Sequence, residues 1–150
     1  MGLLKSKSSN SELIVCLDAN VIISAIAFKG RPYDVVNAAL SRDYSLVLGT
    51  NIIEEVQINL LQKLKLSRGD VDAVLDELLA VASIYSPSGQ YKIIEHKKDN
   101  QVLDVALTAQ CDVLVTGDKR HLLPLDKVGN LVIESPSRFL ARLAHFIKTT

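Results

Sequence analysis

The stretch LIVCLDANVIISA, residues 13–25, decides the fold of this protein. It begins with an almost continuous apolar run from Leu13 to Leu17, which is typical of a parallel strand covered on both faces. Asp18 follows at once, and apolar residues resume at Val21. A buried, ionised carboxylate is costly unless it is paired, hydrogen-bonded or bound to a metal. The stretch therefore predicts a central strand that ends at a partnered carboxylate.

The rest of the chain has the size and composition of one aliphatic domain. Its 150 residues are 48% hydrophobic but only 5% aromatic, with no tryptophan. At this length about two thirds of the unfolded surface is buried on folding, so the core needs no metal or disulfide. The 17 basic residues balance 17 acidic ones, so any nucleic-acid binding must come from a local patch. We expect a single domain over residues 12–150 and a disordered tail over residues 1–11.

The cysteines and the hydropathy of the chain indicate a cytoplasmic protein. Cys16 and Cys111 lie in apolar surroundings, and we interpret both as reduced core residues. No apolar run approaches the ~20 residues of a membrane span, and the chain does not start with a secretory segment. The opening MGLLKS fits the loose pattern for myristoylation but equally fits a polar tail, which we favour.

Strands alternate with amphipathic helices along the sequence. This alternation predicts an α/β sandwich in which helices flank a parallel sheet. Aliphatic runs predict strands at 13–17, 46–48, 113–115 and 131–133, with weaker candidates at 84–85 and 92–94. Helical spacing predicts helices at 32–42, 52–66, 68–82 and 100–110, and a last one from Pro136.

Acidic residues collect at one edge of this predicted sheet. Asp18 and Asp118 each end a strand, and the carboxyl ends of parallel strands form the ligand-binding edge of such sheets. Glu54 and Glu55 open the helix after the second strand, and Asp99 precedes the helix at 100–110 on its apolar stripe. Two carboxylates about 4 Å apart repel by about 4 kcal/mol at an effective dielectric of about 20, and a divalent cation reverses that sign.

A divalent-metal site explains this set of acids better than separate structural roles do. Taken singly, each acid could be a turn residue or a helix cap. Four acids at one edge, with no arginine at the strand ends to pair them, favour a metal, and oxygen-only ligands favour Mg²⁺ or Mn²⁺ over Zn²⁺. His96, His121 and His145 lack metal-ligand spacing, and we expect them to be surface residues. Glycine-rich nucleotide loops and a nucleophile elbow are absent from the sequence.

Three segments of the sequence resemble a PIN domain over about residues 12–141. They are LDANVIISA, LVLGTNIIEEV and DNQVLDVALTAQCDVLVTGDKRHLL, of which the pair DAN and VTGD is the most specific. More narrowly, the chain is similar to the bacterial and archaeal branch of VapC-like ribonucleases, the toxins of toxin–antitoxin pairs. The resemblance implies a central parallel sheet of about five strands between helices.

By position, the resemblance assigns the four acids of the family. The first is Asp18 and the third Asp99, and the fourth is Asp118 of VTGD. The family glutamate is followed by an aliphatic residue, which selects Glu55 over Glu54. These four acids are implied to be both the catalytic residues and the ligands of Mg²⁺ or Mn²⁺.

The resemblance also assigns supporting residues. Asn20 completes the D-x-N motif, Thr116 is a hydroxyl that orients a ligand, and Asp104 matches a position that is often acidic. We place these three behind the metal ligands, although a salt bridge is the competing interpretation of Asp104. Basic residues beside the site are candidates for contacts with substrate phosphates: Lys119, Arg120, Lys98 and Lys97.

The chain departs from the family pattern at two places. Gly49, followed by Thr50, stands where the family often has a serine, and His96-Lys97-Lys98 replaces an acidic, proline-rich run before Asp99. Neither change removes a proposed ligand. A solvated charged turn is the competing interpretation of the lysines.

The expected function is metal-dependent cleavage of single-stranded RNA. The expected partners are single-stranded RNA, an antitoxin protein and a second copy of the chain in a homodimer, with no membrane. Two alternatives remain at this point. The first is a non-catalytic PIN-fold module for RNA binding or assembly, and the second is a DNA-directed nuclease or phosphohydrolase that uses the same metals.

Overall fold

A six-stranded sheet forms the centre of the part of the chain that the computed structural model describes, residues 12–149. The predicted tail, 1–11, lies outside these residues. The strands run in the spatial order β3-β2-β1-β4-β6-β5, and all neighbouring pairs are parallel except β5 with β6. Their bounds are β1 Ile14–Leu17, β2 Ser45–Gly49, β3 Ala82–Tyr85, β4 Val113–Val115, β5 Lys127–Val128 and β6 Leu131–Glu134.

The central pair of strands fixes where the site forms. β1 and β4 are hydrogen-bonded neighbours, with Leu17 opposite Val115. Consecutive residues of both strands are buried, which requires cover on both faces of the sheet. The α/β sandwich with a mostly parallel central sheet, predicted from the alternation of strands and helices, is therefore confirmed.

Six helices cover the sheet in the described residues. Helix α5 packs across β2, β1 and β4, and α6 packs on β4, β6 and α2. Helix α1 packs against α2 and α3, and α4 packs against α3, α2 and β3. The bounds are α1 Ala19–Ala27, α2 Arg31–Leu40, α3 Thr50–Gln62, α4 Arg68–Val81, α5 Lys97–Thr108 and α6 Pro136–Thr149.

The core is aliphatic, as the composition predicts. The edge-to-face pair of Tyr44 and Phe139 is an exception, with ring centres 5.1 Å apart. Cys16 and Cys111 are buried free thiols, in agreement with the interpretation of both as reduced core residues. No helix in the described range is long and apolar enough to cross a membrane.

Some predicted elements differ from the observed ones. Helix α1 was not predicted, because its β-branched run from Val21 to Ile23, directly after β1, is equally typical of a continued strand. The strand predicted at 92–94 is wrong: the amides of Ile93 and Ile94 both donate to Asn100 Oδ1 and so form no ladder. The short antiparallel strand β5 was also missed. Helix α5 begins at Lys97, three residues before the predicted start, because His96 caps it.

Candidate active site

Asp18 lies at the junction of β1 and α1, as the N-cap of that helix. Its side chain is buried, and Oδ1 accepts a hydrogen bond from the Ala19 amide at 2.8 Å. Its second oxygen, Oδ2, accepts from Thr116 Oγ1 at 2.8 Å and from Asn20 Nδ2 at 3.3 Å. Burial, with smaller contributions from the negative charges of Glu55 and Asp99, raises the pKa of Asp18 to about 6, although the hydrogen bonds from Thr116 and the Ala19 amide lower it. The carboxylate is therefore held in place while its charge remains incompletely compensated.

The ends of β1 and β4 are joined by the two supporting residues that the sequence suggests. Asn20 Oδ1 accepts a hydrogen bond from the Gly117 amide at 3.0 Å, so Asn20 bridges Asp18 and the loop after β4. Thr116 is fully buried, and its hydroxyl oxygen also accepts from the Asp118 amide at 3.0 Å. Both residues thus contact Asp18 directly and hold the segment that carries Asp118.

Asp118 and Asp99 face each other from the β4 loop and the first turn of α5. Burial opposes ionisation of Asp118, but hydrogen bonds from the amides of Arg120 and His121, at 2.9 and 3.3 Å, hold the pKa of Asp118 below its ordinary value. Burial, followed by the charge of Asp118, raises the pKa of Asp99. The ionised form of Asp118 is therefore stabilised by backbone amides, whereas the positive charge around Asp99 does not fully stabilise its ionised form.

The four predicted acids all line one cavity of about 280 Å³, but no three of these residues place carboxylate oxygens within 4.8 Å of one another. The lining of the cavity distinguishes the two neighbouring glutamates of α3, because Glu55 contributes to it and the exposed Glu54 does not. Glu54 instead lines an adjoining cavity of about 200 Å³, which Glu55 also borders. The lining residues are Asp18, Asn20, Glu55, His96, Lys98, Asp99, Val102 and Asp118.

The basic residues predicted to contact substrate phosphates differ in whether they line this cavity. Lys98 lines it, whereas Lys119 and Arg120 are exposed and do not. Arg120 borders a neighbouring cavity with His96 and His121, and Lys97 borders a further one beside 92–95. Lys98 is therefore the one lysine or arginine that lines the cavity of the four acids.

The three histidines are accessible, as expected, but two of them form a cluster with Asp99 that their spacing in the sequence did not indicate. His96 and His121 stack with ring centres 4.3 Å apart, and the Nδ1 atom of each lies 2.9 Å from Asp99 Oδ2. These three ligand atoms lie within 4.8 Å of one another, and they form the one such group of three in residues 12–149. Sequence spacing missed the pair because the two rings come from different elements; the unusual His96 before Asp99 was the available signal.

Asp104 lies away from the other acids, and its contacts are with a loop. Its carboxylate accepts four hydrogen bonds of 2.7–2.9 Å, from the amide and hydroxyl of Ser88, the amide of Gly89 and the hydroxyl of Thr108. These contacts hold the pKa of Asp104 below its ordinary value although burial opposes this. In the described residues Asp104 therefore forms no hydrogen bond with the proposed metal ligands and no salt bridge. Its hydrogen bonds attach the loop after β3 to α5.

Any side chain at Gly49, the departure from the family serine, would have to displace Asn51 and Val105. It is the N-cap of α3 with a φ of −82°, which any residue can adopt. A Cβ atom there would collide with Asn51 Oδ1 and lie 2.9 Å from Val105 Cγ2. The Asn51 side chain thus occupies the space that a serine side chain would need.

Comparisons with known proteins agree with this architecture. A family model described as PIN domain matches residues 14–120. No functionally curated protein matches the chain significantly. Among solved structures, a chain of VapBC2 from Rickettsia felis, crystallised with a DNA fragment from their promoter, is similar at 17% identity with a TM-score of 0.57. The match covers 82% of this chain and 98% of that one, and at this identity it shows a shared fold. Since the family model spans most of the sequence, the chain belongs to the PIN-domain family.

Proposed function

We propose that this protein is a metal-dependent endoribonuclease that cleaves single-stranded RNA. PIN domains are generally nucleases. The observation that carries the proposal is the cavity that Asp18, Glu55, Asp99 and Asp118 all line at the carboxyl edge of the sheet. Lys98 is the only lysine or arginine among the residues that line it, so the cavity lacks enough positive charge for four carboxylates.

The donor set fits a divalent cation of the Mg²⁺ or Mn²⁺ type. All four proposed ligands are carboxylates, which these ions prefer. The raised pKa of Asp18 fits the same role, because the hydrogen bonds around it do not offset the cost of its burial. A nearby cation would stabilise the ionised form of this side chain.

In this proposal the residues of the chain have separate tasks. Asp18, Glu55, Asp99 and Asp118 hold the metal, and Asn20 and Thr116 keep the Asp18 carboxylate oriented. Lys98 contacts a substrate phosphate at the cavity, and Lys119 and Arg120 contact the flanking backbone. When bound, the metal ion activates a water molecule and stabilises the leaving oxygen at the scissile phosphate. No side-chain general base is then required.

The test is cleavage of a mixed-sequence single-stranded RNA and of the matching DNA, with Mg²⁺, Mn²⁺ or EDTA. We expect cleavage of RNA that EDTA abolishes and that Asp18→Asn lowers by at least about 100-fold, since several kcal/mol of charge stabilisation are lost. Cleavage of the DNA but not of the RNA would show that DNA is the substrate. No cleavage, with intact metal binding, would favour a binding or assembly module.

The proposed partners are an antitoxin protein and a second copy of this chain. The similar structure from Rickettsia felis is that of a VapBC2 assembly, which motivates the antitoxin. Ile58 on α3, Leu79 on α4 and Ile84 on the edge strand β3 are large apolar side chains that stay at least 42% exposed, which favours a dimer interface. Light scattering should give twice the chain mass of 16.4 kDa, and the mass of a single chain would contradict the homodimer.

A further inference from the structure

The two stacked imidazoles present a different donor chemistry from the four acids. His96 caps helix α5, and His121 follows the turn after β4, so two elements bring the rings together. The rings are 18° from parallel, and both Nδ1 atoms lie 2.9 Å from the same carboxylate oxygen, Asp99 Oδ2. Two imidazole nitrogens and a carboxylate oxygen this close together are found in hydrogen-bonded clusters. They are also found around metal ions, where all three atoms are ligands.

The surroundings of the three groups favour a cation. Asp118 Oδ2 adds a second negative charge 3.6 Å from His121 Nδ1. The amide of His121 donates to Asp118 Oδ1, and His96 Nδ1 caps α5 by accepting from the Asp99 amide at 3.4 Å. To bind one ion, the two near-parallel rings must rotate so that both Nδ1 lone pairs point at it, and His96 must release this cap.

The spacing and exposure also suit a small ion. In a tetrahedral zinc site the Zn–N bond is about 2.0–2.1 Å, which places neighbouring ligand atoms about 3.3 Å apart. The observed 2.9 Å contacts would need to open by a few tenths of an ångström. The side chains of His96, His121 and Asp99 are 48%, 36% and 16% exposed, which gives access for the ion and for water as the fourth ligand.

We propose that His96 Nδ1, His121 Nδ1 and Asp99 Oδ2 bind one Zn²⁺ ion, at a centre that shares Asp99 with the all-carboxylate set but uses imidazole donors. Imidazole nitrogen selects zinc and similar transition metals, whereas Mg²⁺ prefers oxygen donors. Binding displaces any proton on the two Nδ1 atoms, so the rings then carry their protons on Nε2. Because Asp99 also belongs to the proposed nuclease site, zinc should inhibit Mg²⁺-supported cleavage, a consequence that rests on the proposed function.

The test is calorimetric titration of the protein with Zn²⁺ in excess Mg²⁺, without any RNA. We expect one zinc site that weakens by at least about tenfold in His96→Asn and in His121→Gln, since loss of a ligand costs no less than loss of a supporting residue. Asparagine at position 96 keeps an N-cap acceptor for α5, so the helix start is preserved. Thermal unfolding of each metal-free variant checks that the fold is intact.

Two matched variants separate this proposal from the proposed nuclease function. His145→Gln removes the exposed third histidine and should bind zinc as the wild type does. Asp18→Asn removes an acid of the nuclease site but no zinc ligand, so in Mg²⁺-free buffer it should also bind zinc as the wild type does. Zinc affinity unchanged in both His96→Asn and His121→Gln, or equally weakened in His145→Gln, would overturn the zinc centre. A wild type that binds no zinc would overturn it as well. None of these outcomes depends on RNA cleavage.

Discussion

At the scale of single residues, Asp18 determines both the proposed chemistry and a local cost in stability. Its pKa of about 6, against 3.8 for an ordinary aspartate, means that the folded state holds a proton that the unfolded chain has lost between these pH values. The free energy of unfolding therefore falls as pH rises from about 4 to about 6, and stays lower above that range. A bound cation would remove this cost by stabilising the ionised form.

The substitution Asp18→Asn tests this cost directly. In EDTA we expect the variant to gain stability relative to the wild type as pH rises through this range, by up to about 3 kcal/mol, because one pKa unit is about 1.4 kcal/mol. Asparagine retains a carbonyl oxygen for the Ala19 amide, so the cap of α1 survives. Urea denaturation at several pH values measures the difference, and a difference that does not change with pH would contradict the burial argument.

At the same scale, the sequence predicted the acids but not the histidines. Asp18 and Asp118 were predictable because each follows an apolar strand and parallel strands end at one edge. Glu55 could be separated from Glu54 only by resemblance to the family, since both lie in the same helical turn. His96 and His121 could not be paired, because only the packing of α5 beside the β4 loop brings them together.

At the scale of elements, the start of helix α3 depends on Gly49 and Asn51 together. The substitution Gly49→Ser should destabilise the protein by about 1–3 kcal/mol, since its Cβ meets Asn51 and the buried Val105. The double variant Gly49→Ser, Asn51→Ala should recover part of this loss, because it removes the colliding oxygen and lets serine cap the helix. Denaturant midpoints measure the stability of both variants and of Asn51→Ala alone. If the effects of Gly49→Ser and Asn51→Ala simply add in the double variant, Asn51 is not the obstacle to serine.

Asp104 has a comparable role for the loop between β3 and α5. Asp104→Asn should cost about 2 kcal/mol, because hydrogen bonds to a charged group are lost and an amide NH₂ then faces either the Ser88 amide or the Gly89 amide, which donate to different oxygens of Asp104. Hydrogen exchange at residues 88 and 89 should quicken, while Thr108→Val, which removes one donor only, should have a smaller effect. Equal protection in wild type and Asp104→Asn would show that the loop does not depend on this carboxylate.

The predicted elements were most accurate where periodicity was long and strong, as in α4 and α6, whereas α3 ends at Gln62, four residues before its predicted end. The extended prediction at 92–94 failed because Asn100 takes the amide donors of that segment. Helix α1 was missed because valine and isoleucine after β1 are equally typical of a continued strand, and only Asp18 as a cap indicates the change.

At the scale of the whole molecule, one ion pair attaches the last helix to the sheet. Arg142 on α6 forms two hydrogen bonds of 2.8 Å with Glu134, which ends β6 and is 3% exposed. Arg142→Met should cost about 2 kcal/mol, less than for a fully buried pair because the Arg142 side chain stays 42% exposed. Urea unfolding measures the cost. The double variant Arg142→Met, Glu134→Gln should regain stability, and its failure to do so would contradict the account.

The central claim is that the acids lining one cavity at the carboxyl edge of the sheet form a nuclease site. Glu55 and Glu54 are the sharpest test, because they are adjacent in α3 and only Glu55 lines the cavity with the three aspartates. We predict that Glu55→Gln lowers Mg²⁺-dependent cleavage of single-stranded RNA by at least about 100-fold, while Glu54→Gln stays within about threefold of wild type. Equal activity in the two variants, or a larger loss in Glu54→Gln, would contradict the claim.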